Sequence, residues 1–152
     1  MEEKGEVDSV IIDTYTLLAM AYGQLGGNAE KILLGVRGRR ILGLIPVTVV
    51  YEYCVHWYMG RIPVLKSLDE VKTFLSSYFK IVDLSMDDYM NASRIKVEGD
   101  RILRDLRVMG DRSISLVDAT IIAVAFRYKA PIVTGDLDLS CVAKAMGFKV
   151  IW

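Results

Sequence analysis

The sequence predicts an α/β fold, a three-layer α/β/α domain with a mainly parallel sheet of about five strands. Five short apolar runs are continuously hydrophobic rather than alternating, as in strands that are covered on both faces. Helical stretches separate these runs, so strands and helices alternate along the chain. With 152 residues, 53% of them hydrophobic, the chain suits one compact domain, which we expect to span residues 1–152.

The candidate strands come at intervals along the whole chain. They are residues 7–12, 41–47, 79–84, 131–134 and 149–152. A helical stripe of apolar residues follows the second run and places Glu52 in about the first turn of its helix. The stripe consists of Val49, Val50, Tyr53, Cys54 and Trp57.

Three serine–acid pairs mark further helix starts, because they have the spacing of a capping box. These pairs are Ser67 with Glu70, Ser85 with Asp88, and Ser115 with Asp118. The second pair predicts a helix that runs to about Glu98. Residues 116–128 are apolar almost all round, which predicts a central helix packed on the sheet, whereas residues 94–112 are rich in charge.

Charge and cysteine content limit the classes of function. Lys and Arg together number 19, as do Asp and Glu, so the formal net charge is zero and polyanion binding requires a local patch. Cys54 and Cys141 lack metal-ligand spacing, which predicts buried free thiols in a reducing cytosol. The charged amino terminus and the lack of a long apolar run predict a cytoplasmic protein without a membrane span.

Four acidic residues are placed where an α/β fold would bring them to one edge of the sheet: Asp13, Glu52, Asp118 and Asp136. Asp13 and Asp136 follow apolar strands, and open α/β sheets bind ligands at the carboxyl ends of their strands. Each acid alone has a structural explanation, as a helix cap, a turn residue or a partner of a helix dipole. Together they indicate a shared site.

A cluster of carboxylates has to take up protons or hold a cation. Two carboxylates about 4 Å apart repel by about 4 kcal/mol at an effective dielectric near 20. Oxygen ligands without a matching His or Cys set favour Mg²⁺ or Mn²⁺ over zinc. Thr134 is placed to orient a carboxylate or a metal-bound water, and Asp138 either ligates or caps the helix that begins near Leu139.

Four motifs in this order resemble a PIN domain, and most closely the small VapC-like toxin ribonucleases of type II toxin–antitoxin pairs. The resemblance spans nearly the whole chain. The motifs are Val10-Ile11-Ile12-Asp13-Thr14 with Leu17-Leu18-Ala19, Val49-Val50-Tyr51-Glu52, Leu116-Val117-Asp118-Ala119 with Ile122-Ala123 and Ala125, and Thr134-Gly135-Asp136-Leu137-Asp138-Leu139.

The resemblance implies a metal-dependent endoribonuclease with Mg²⁺ or Mn²⁺ as cofactor. Asp13, Asp118 and Asp136 would be metal ligands, and Glu52 would complete the metal site or orient the attacking water. Thr134 and Asp138 would support them. The resemblance also implies an RNA substrate, a small antitoxin protein as partner and a homodimer. The chain departs from the family at Leu139, where an aromatic residue is usual, and in a long spacing between Glu52 and Asp118.

Three alternatives stay open. One is a PIN-fold RNA-processing nuclease without an antitoxin, and another is a catalytically silent module that binds RNA or protein. The third is a haloacid-dehalogenase-type phosphatase, which the residues after Gly135 resemble. That class needs a second Asp two places after the nucleophile, and Tyr15 stands there.

Basic and aromatic clusters add weaker indications. Arg101, Arg104 and Arg107 follow helical spacing and are the candidate RNA-binding residues, although interspersed acids favour a solvated helix face. The aromatic cluster around Tyr51 and Trp57 is typical of core or of a protein interface. His56, the one histidine, has no paired Ser or Cys nucleophile, so a surface or core role is favoured.

Overall fold

A computed structural model describes residues 6–106 and 112–152, and in them the predicted fold class is confirmed. Five strands form one sheet, and every neighbouring pair is parallel. The sheet order is β3-β2-β1-β4-β5. The strands are β1 Ser9–Ile12, β2 Leu42–Pro46, β3 Lys80–Val82, β4 Ile132–Val133 and β5 Val150–Ile151.

Helices join the strands and cover the sheet. Within the described residues they are α1 Thr14–Ala21, α2 Gly27–Arg37, α3 Val47–Tyr58, α4 Leu68–Tyr78, α5 Met86–Asp105, α6 Leu116–Tyr128 and α7 Leu137–Ala145. In the described part of the chain, no helix is both long and apolar enough to cross a bilayer.

The register of the central strands fixes which chain segments meet at the carboxyl edge of the sheet. In β1, Ile12 is paired with Val133 of β4, and Ile11 is paired with Leu44 of β2. These side chains are fully buried, as continuous apolar strands in a parallel sheet should be. The residues that follow β1 and β4 therefore lie side by side.

Helix α6 is the central helix that its apolar composition predicts. It packs on β1, β2 and β4 and against α5, and most of its residues are buried. Helix α5 continues to Asp105 rather than ending near Glu98, because the buried stripe continues through Leu103. At Gly99, a Cβ would lie 2.7 Å from the Ile114 side chain, so the close approach of the segment before α6 depends on this glycine.

The capping pairs behave differently from one another. Ser85 and Asp88 form both hydrogen bonds of the capping box, and Asp88 also accepts from Arg127 at 2.6 Å, which links α5 to the end of α6. Ser67 caps α4, but the Glu70 carboxylate accepts from the Lys66 N–H at 2.6 Å instead. Cys54 and Cys141 are free thiols, as expected, but both are half-buried rather than buried.

We predict that replacing Ile122 by Ala destabilises the protein by about 2–5 kcal/mol, because it leaves a cavity in the centre of the core. Ile122 is fully buried, whereas Leu116 on the same helix is 60% exposed. Leu116→Ala is the matched control and should change the free energy of unfolding by less than about 1 kcal/mol. Urea unfolding of both variants measures the difference, and equal losses would contradict the assignment of α6 to the core.

Candidate functional site

Asp13 is held at the carboxyl edge of the sheet by hydrogen bonds from two neighbouring segments. It caps α1, where its Oδ1 accepts from the Thr16 N–H at 2.9 Å, and its Oδ2 lies 2.5 Å from the Thr134 hydroxyl. Thr134 follows β4 directly and accepts from the Asp136 N–H at 3.0 Å. Asp13 is 3% exposed, so a buried carboxylate lies at the bottom of the site.

Burial and hydrogen bonding act on Asp13 in opposite directions. The Thr16 hydroxyl lies 2.6 Å from Asp13 Oδ1 and 2.8 Å from the carbonyl oxygen of Val133, so these two acceptors share its one proton. Burial raises the pKa of Asp13 to about 6, an increase that hydrogen bonds from Thr134 and Thr16 oppose and the charge of Asp136 reinforces.

Asp136 combines a structural role with a place in the site. Its Oδ2 accepts from the Leu139 N–H at 2.8 Å and caps α7, which begins at Leu137 rather than near Leu139 as predicted. Asp138 consequently lies inside the first turn and is not the cap. Its carboxylate is 3.1 Å from Arg112, an ion pair at the surface. The Asp138 side chain does not line the cleft that the other acids share.

Glu52 and Asp118 are delivered from two helices that a buried hydroxyl pair holds together. Thr120 donates to the Val117 carbonyl at 2.7 Å, so Thr48 is the donor in the 2.7 Å contact between the two hydroxyls. Glu52 is four residues after Thr48 on the same face of α3. It lies in the second turn rather than the first, because α3 begins at Val47, so the helix-dipole explanation for this acid is wrong.

The four acids line one cleft of about 270 Å³, together with Thr14, Tyr15, Leu18, His56 and Ser115. Asp118 shows their mutual influence. The pKa of Asp118 is raised to about 7, mainly by burial and then by the charges of Asp136, Asp13 and Glu52, in decreasing order. The Ser115 hydroxyl accepts from the Asp118 N–H at 3.0 Å. A hydrogen bond from the Ser115 backbone N–H to the Asp118 carboxylate lowers the pKa, but it is the smallest of these effects. A capping role alone would not bring Asp118 near three other acids.

The donor set fits a hard divalent cation. All four candidate ligands offer carboxylate oxygens, which Mg²⁺ and Mn²⁺ prefer. The buried Thr14 hydroxyl at the same cleft has no hydrogen-bond partner within the described residues. Among those residues, no three His, Cys, Asp or Glu side chains are close enough to form a preassembled metal site.

His56 lines the cleft, although the sequence analysis favoured a surface or core role for it. It is four residues after Glu52, so successive turns of α3 present Thr48, Glu52 and His56 on one face. Arg61 donates to His56 Nδ1 at 2.8 Å, which places the proton of the neutral imidazole on Nε2. Burial and the charge of Arg61 lower the pKa of His56, and Glu52 opposes them. The signal available was the i, i+4 spacing from Glu52.

The candidate RNA-binding arginines are only partly described. Arg101 and Arg104 are exposed on α5, as a solvated helix face requires, and Arg107 lies outside the described residues. The aromatic cluster divides in two. Tyr53 is buried in the core, and Trp57 is half-buried and donates to the Leu65 carbonyl at 2.9 Å, whereas Tyr51 and Tyr58 are about 70% exposed.

The protein is thus a parallel α/β protein with an acidic cleft at the carboxyl edge of its sheet. Open α/β sheets bind their ligands at this edge. Residues 10–145 match the PIN domain family, so the chain belongs to that family. This confirms the family that the four motifs indicated. Among curated proteins, none matches the sequence significantly.

Solved structures share the fold at low sequence identity. One is VapBC2 from Rickettsia felis, with 15% identity, a TM-score of 0.58 and coverage of 93% of this chain and 96% of that one. Another is VapC20 from Mycobacterium tuberculosis, a sarcin-ricin loop cleaving toxin, with 20% identity, a TM-score of 0.57 and coverage of 91% and 95%. FitAcB from Neisseria gonorrhoeae has 12% identity, a TM-score of 0.50 and coverage of 93% and 95%.

We predict that the metal-free protein loses stability as pH rises from about 4 to about 7. Asp118 has a pKa of about 7 in the folded protein against an ordinary value of 3.8. The folded state therefore binds more protons than the unfolded state in this range, and ionisation above it penalises the fold. Asp118→Asn should remove much of the loss, and its advantage at pH 8 should be on the order of 2 kcal/mol after allowance for solvent screening.

Urea unfolding in EDTA across this pH range measures the effect. Asp69→Asn is the matched control, because Asp69 is an exposed residue of α4 outside the cleft. Parallel pH profiles for wild type and Asp118→Asn would show that Asp118 is not protonated near neutral pH.

Proposed function

We propose that the protein is a metal-dependent endoribonuclease that hydrolyses RNA phosphodiester bonds, and that it is the toxin of a toxin–antitoxin pair. The observation that carries the nuclease proposal is the gathering of Asp13, Glu52, Asp118 and Asp136 around one cleft. Membership of the PIN family supports it. The same membership leaves the phosphatase alternative without support.

The proposed roles follow from burial and hydrogen bonding. Asp13, Asp118 and Asp136 would hold Mg²⁺ or Mn²⁺, which when bound supplies a nucleophilic water and neutralises charge on the phosphate. Asp13 is the most rigid of the three, since Thr16 and Thr134 fix both of its oxygens. Glu52, half-buried on α3, would complete the site or orient the attacking water. Thr134 would set the geometry of Asp13 and of the Asp136 backbone.

Asp138 would act from outside the cleft. Its ion pair with Arg112 ties the start of α7 to the segment before α6, so it would keep Asp136 and Asp118 at a constant separation. This is a supporting role through position rather than through ligation. This role differs from both alternatives that the sequence left open, since Asp136 rather than Asp138 caps the helix and the contact of Asp138 is to the Arg112 side chain.

The toxin assignment and the partners are part of the same proposal. VapBC2 is a toxin–antitoxin complex and VapC20 is a toxin, and both share the fold. Tyr51 and Tyr58 are exposed on α3 and would suit a contact with a second copy of the chain or with an antitoxin. Because its substrate would be cellular RNA, we expect the enzyme to act in the cytoplasm.

We predict that the wild-type protein cleaves RNA in Mg²⁺ or Mn²⁺, that EDTA abolishes cleavage, and that Asp118→Asn reduces the rate at least about 100-fold. A mixed pool of structured and unstructured RNAs, analysed by sequencing of the cut ends, measures activity and target together. The products should carry a 5′-phosphate and a 3′-hydroxyl.

The matched control is again Asp69→Asn, which should cleave like the wild type. Cleavage that persists in EDTA or in Asp118→Asn would remove the acidic cleft from the reaction. If the folded wild type leaves every RNA intact in either metal, the catalytically silent binding module replaces the nuclease.

We predict that expression of the wild type in bacterial cells arrests growth, whereas Asp118→Asn does not, because the arrest requires RNA cleavage. A small open reading frame immediately upstream, when co-expressed, should restore growth and co-purify with either form. Active enzyme that leaves growth unchanged and has no such neighbour would favour the RNA-processing nuclease without an antitoxin.

A further inference from the structure

A second cavity, of about 700 Å³, opens beside the acidic cleft and runs along the edge strand β5 between α2 and α7. Thr134 and Gly135 form part of its wall, and Thr134 is the residue whose hydroxyl donates to the buried Asp13 carboxylate. The two cavities are therefore neighbours that share the segment after β4. We name the larger one the lysine cavity, for Lys31, Lys144 and Lys149 in its lining.

The lysine cavity is strongly basic in a chain whose formal net charge is zero. Its three lysines come from α2, from α7 and from the residue before β5, so the fold gathers them from distant parts of the sequence. Asn28 and Ser140 add uncharged polar groups. None of the lining residues that the structure describes is acidic. This is the kind of local patch that polyanion binding by a neutral protein requires.

The lysine cavity contrasts with the arginines of α5. Arg101 and Arg104 are interspersed with acids, and the nearby Arg94 and Lys96 already pair with Glu98 and Asp100 at 3.1 and 2.7 Å. Paired opposite charges on one helix face largely cancel each other's electrostatic potential, so this face attracts a polyanion only weakly. The three lysines, in contrast, have no acidic side chain beside them among the described residues that line their cavity.

An aromatic pair separates the two cavities. Tyr15 lines the acidic cleft and is 46% exposed, Trp152 lines the lysine cavity, and their ring centroids are 5.4 Å apart in an edge-to-face arrangement. Gly135 lies against both rings, since a Cβ there would be 2.6 Å from each of them. The path from one cavity to the other thus passes the partly exposed Tyr15 ring, and aromatic side chains of this kind can stack with a nucleic-acid base.

From these observations we propose that the lysine cavity binds the phosphates of the single-stranded RNA that flanks the scissile bond, while Tyr15 and Trp152 support a base between the two cavities. The proposal rests on the proposed nuclease function. Four carboxylates repel a polyanion, so the acidic cleft cannot supply the affinity for RNA by itself. Lysines a short distance along the strand supply it and align the next phosphates.

The test compares RNA binding by two triple variants, each built on Asp118→Asn so that the RNA is not cut. One carries Lys31→Gln, Lys144→Gln and Lys149→Gln. The matched control carries Lys66→Gln, Lys72→Gln and Lys80→Gln, which remove the same charge outside both cavities. Fluorescence anisotropy gives Kd for single-stranded RNAs of about 4 and about 16 nucleotides, between about 50 and about 200 mM salt. Thermal unfolding verifies that both variants fold.

We expect the lysine-cavity variant to bind the long RNA at least about 10-fold more weakly at low salt, and its slope of log Kd against log salt to fall by about 2, as loss of three phosphate contacts requires. The short RNA should bind the parent more weakly than the long RNA does, because it cannot occupy the acidic cleft and the lysine cavity together. The control variant should bind like its parent.

Two results would overturn the proposal: unchanged affinity and salt slope for the lysine-cavity variant, or an equal loss in the control variant. Failure of the nuclease proposal is recognised separately, because it requires a wild type that does not cleave RNA in Mg²⁺ or Mn²⁺. A folded wild type without cleavage, combined with lysine-dependent binding of long RNA, would keep the lysine cavity as an RNA site and reject only the catalysis.

Discussion

The acidic cleft depends on the alignment of β1 with β4. Pairing of Ile12 with Val133 sets Asp13 beside Thr134, and the hydroxyls of Thr16 and Thr134 then enclose the Asp13 carboxyl. A shift of the register by one residue would invert the side chains of β4 and separate these groups. Packing of apolar strands therefore positions a buried acid, and the acid in turn ties α1 and the segment before α7 to the same point.

Much of this could be predicted from the sequence, because the relevant signals are local. A continuous apolar run that ends in Asp13, and another that precedes Asp136, identify buried parallel strands and the edge at which both acids emerge. The apolar character of residues 116–128 likewise identifies α6 without knowledge of its neighbours. The position of Glu52 within its helix was predicted less accurately, because α3 begins at Val47 without a capping signal. Helix boundaries are harder to predict from sequence than the helices themselves.

Features that depend on tertiary contacts were not predictable in the same way. The ion pair of Arg112 with Asp138 joins segments 26 residues apart and gives the carboxylate of a candidate ligand a side-chain partner. Lys31, Lys144 and Lys149 form no pattern along the chain, and only the packing of α2 and α7 beside β5 brings them together. The contact between the hydroxyls of Thr48 and Thr120, which joins α3 to α6, likewise leaves no pattern in the sequence.

The raised pKa of Asp118, about 7, has a consequence for how the cleft would take up a cation. Near neutral pH, a proton on this carboxyl group offsets part of the repulsion among the four acids. A divalent ion bound in the cleft would then displace that proton, and occupancy would vary with both the acidity of the medium and the supply of metal. Hydrogen ions and divalent cations would therefore compete for the same carboxylates.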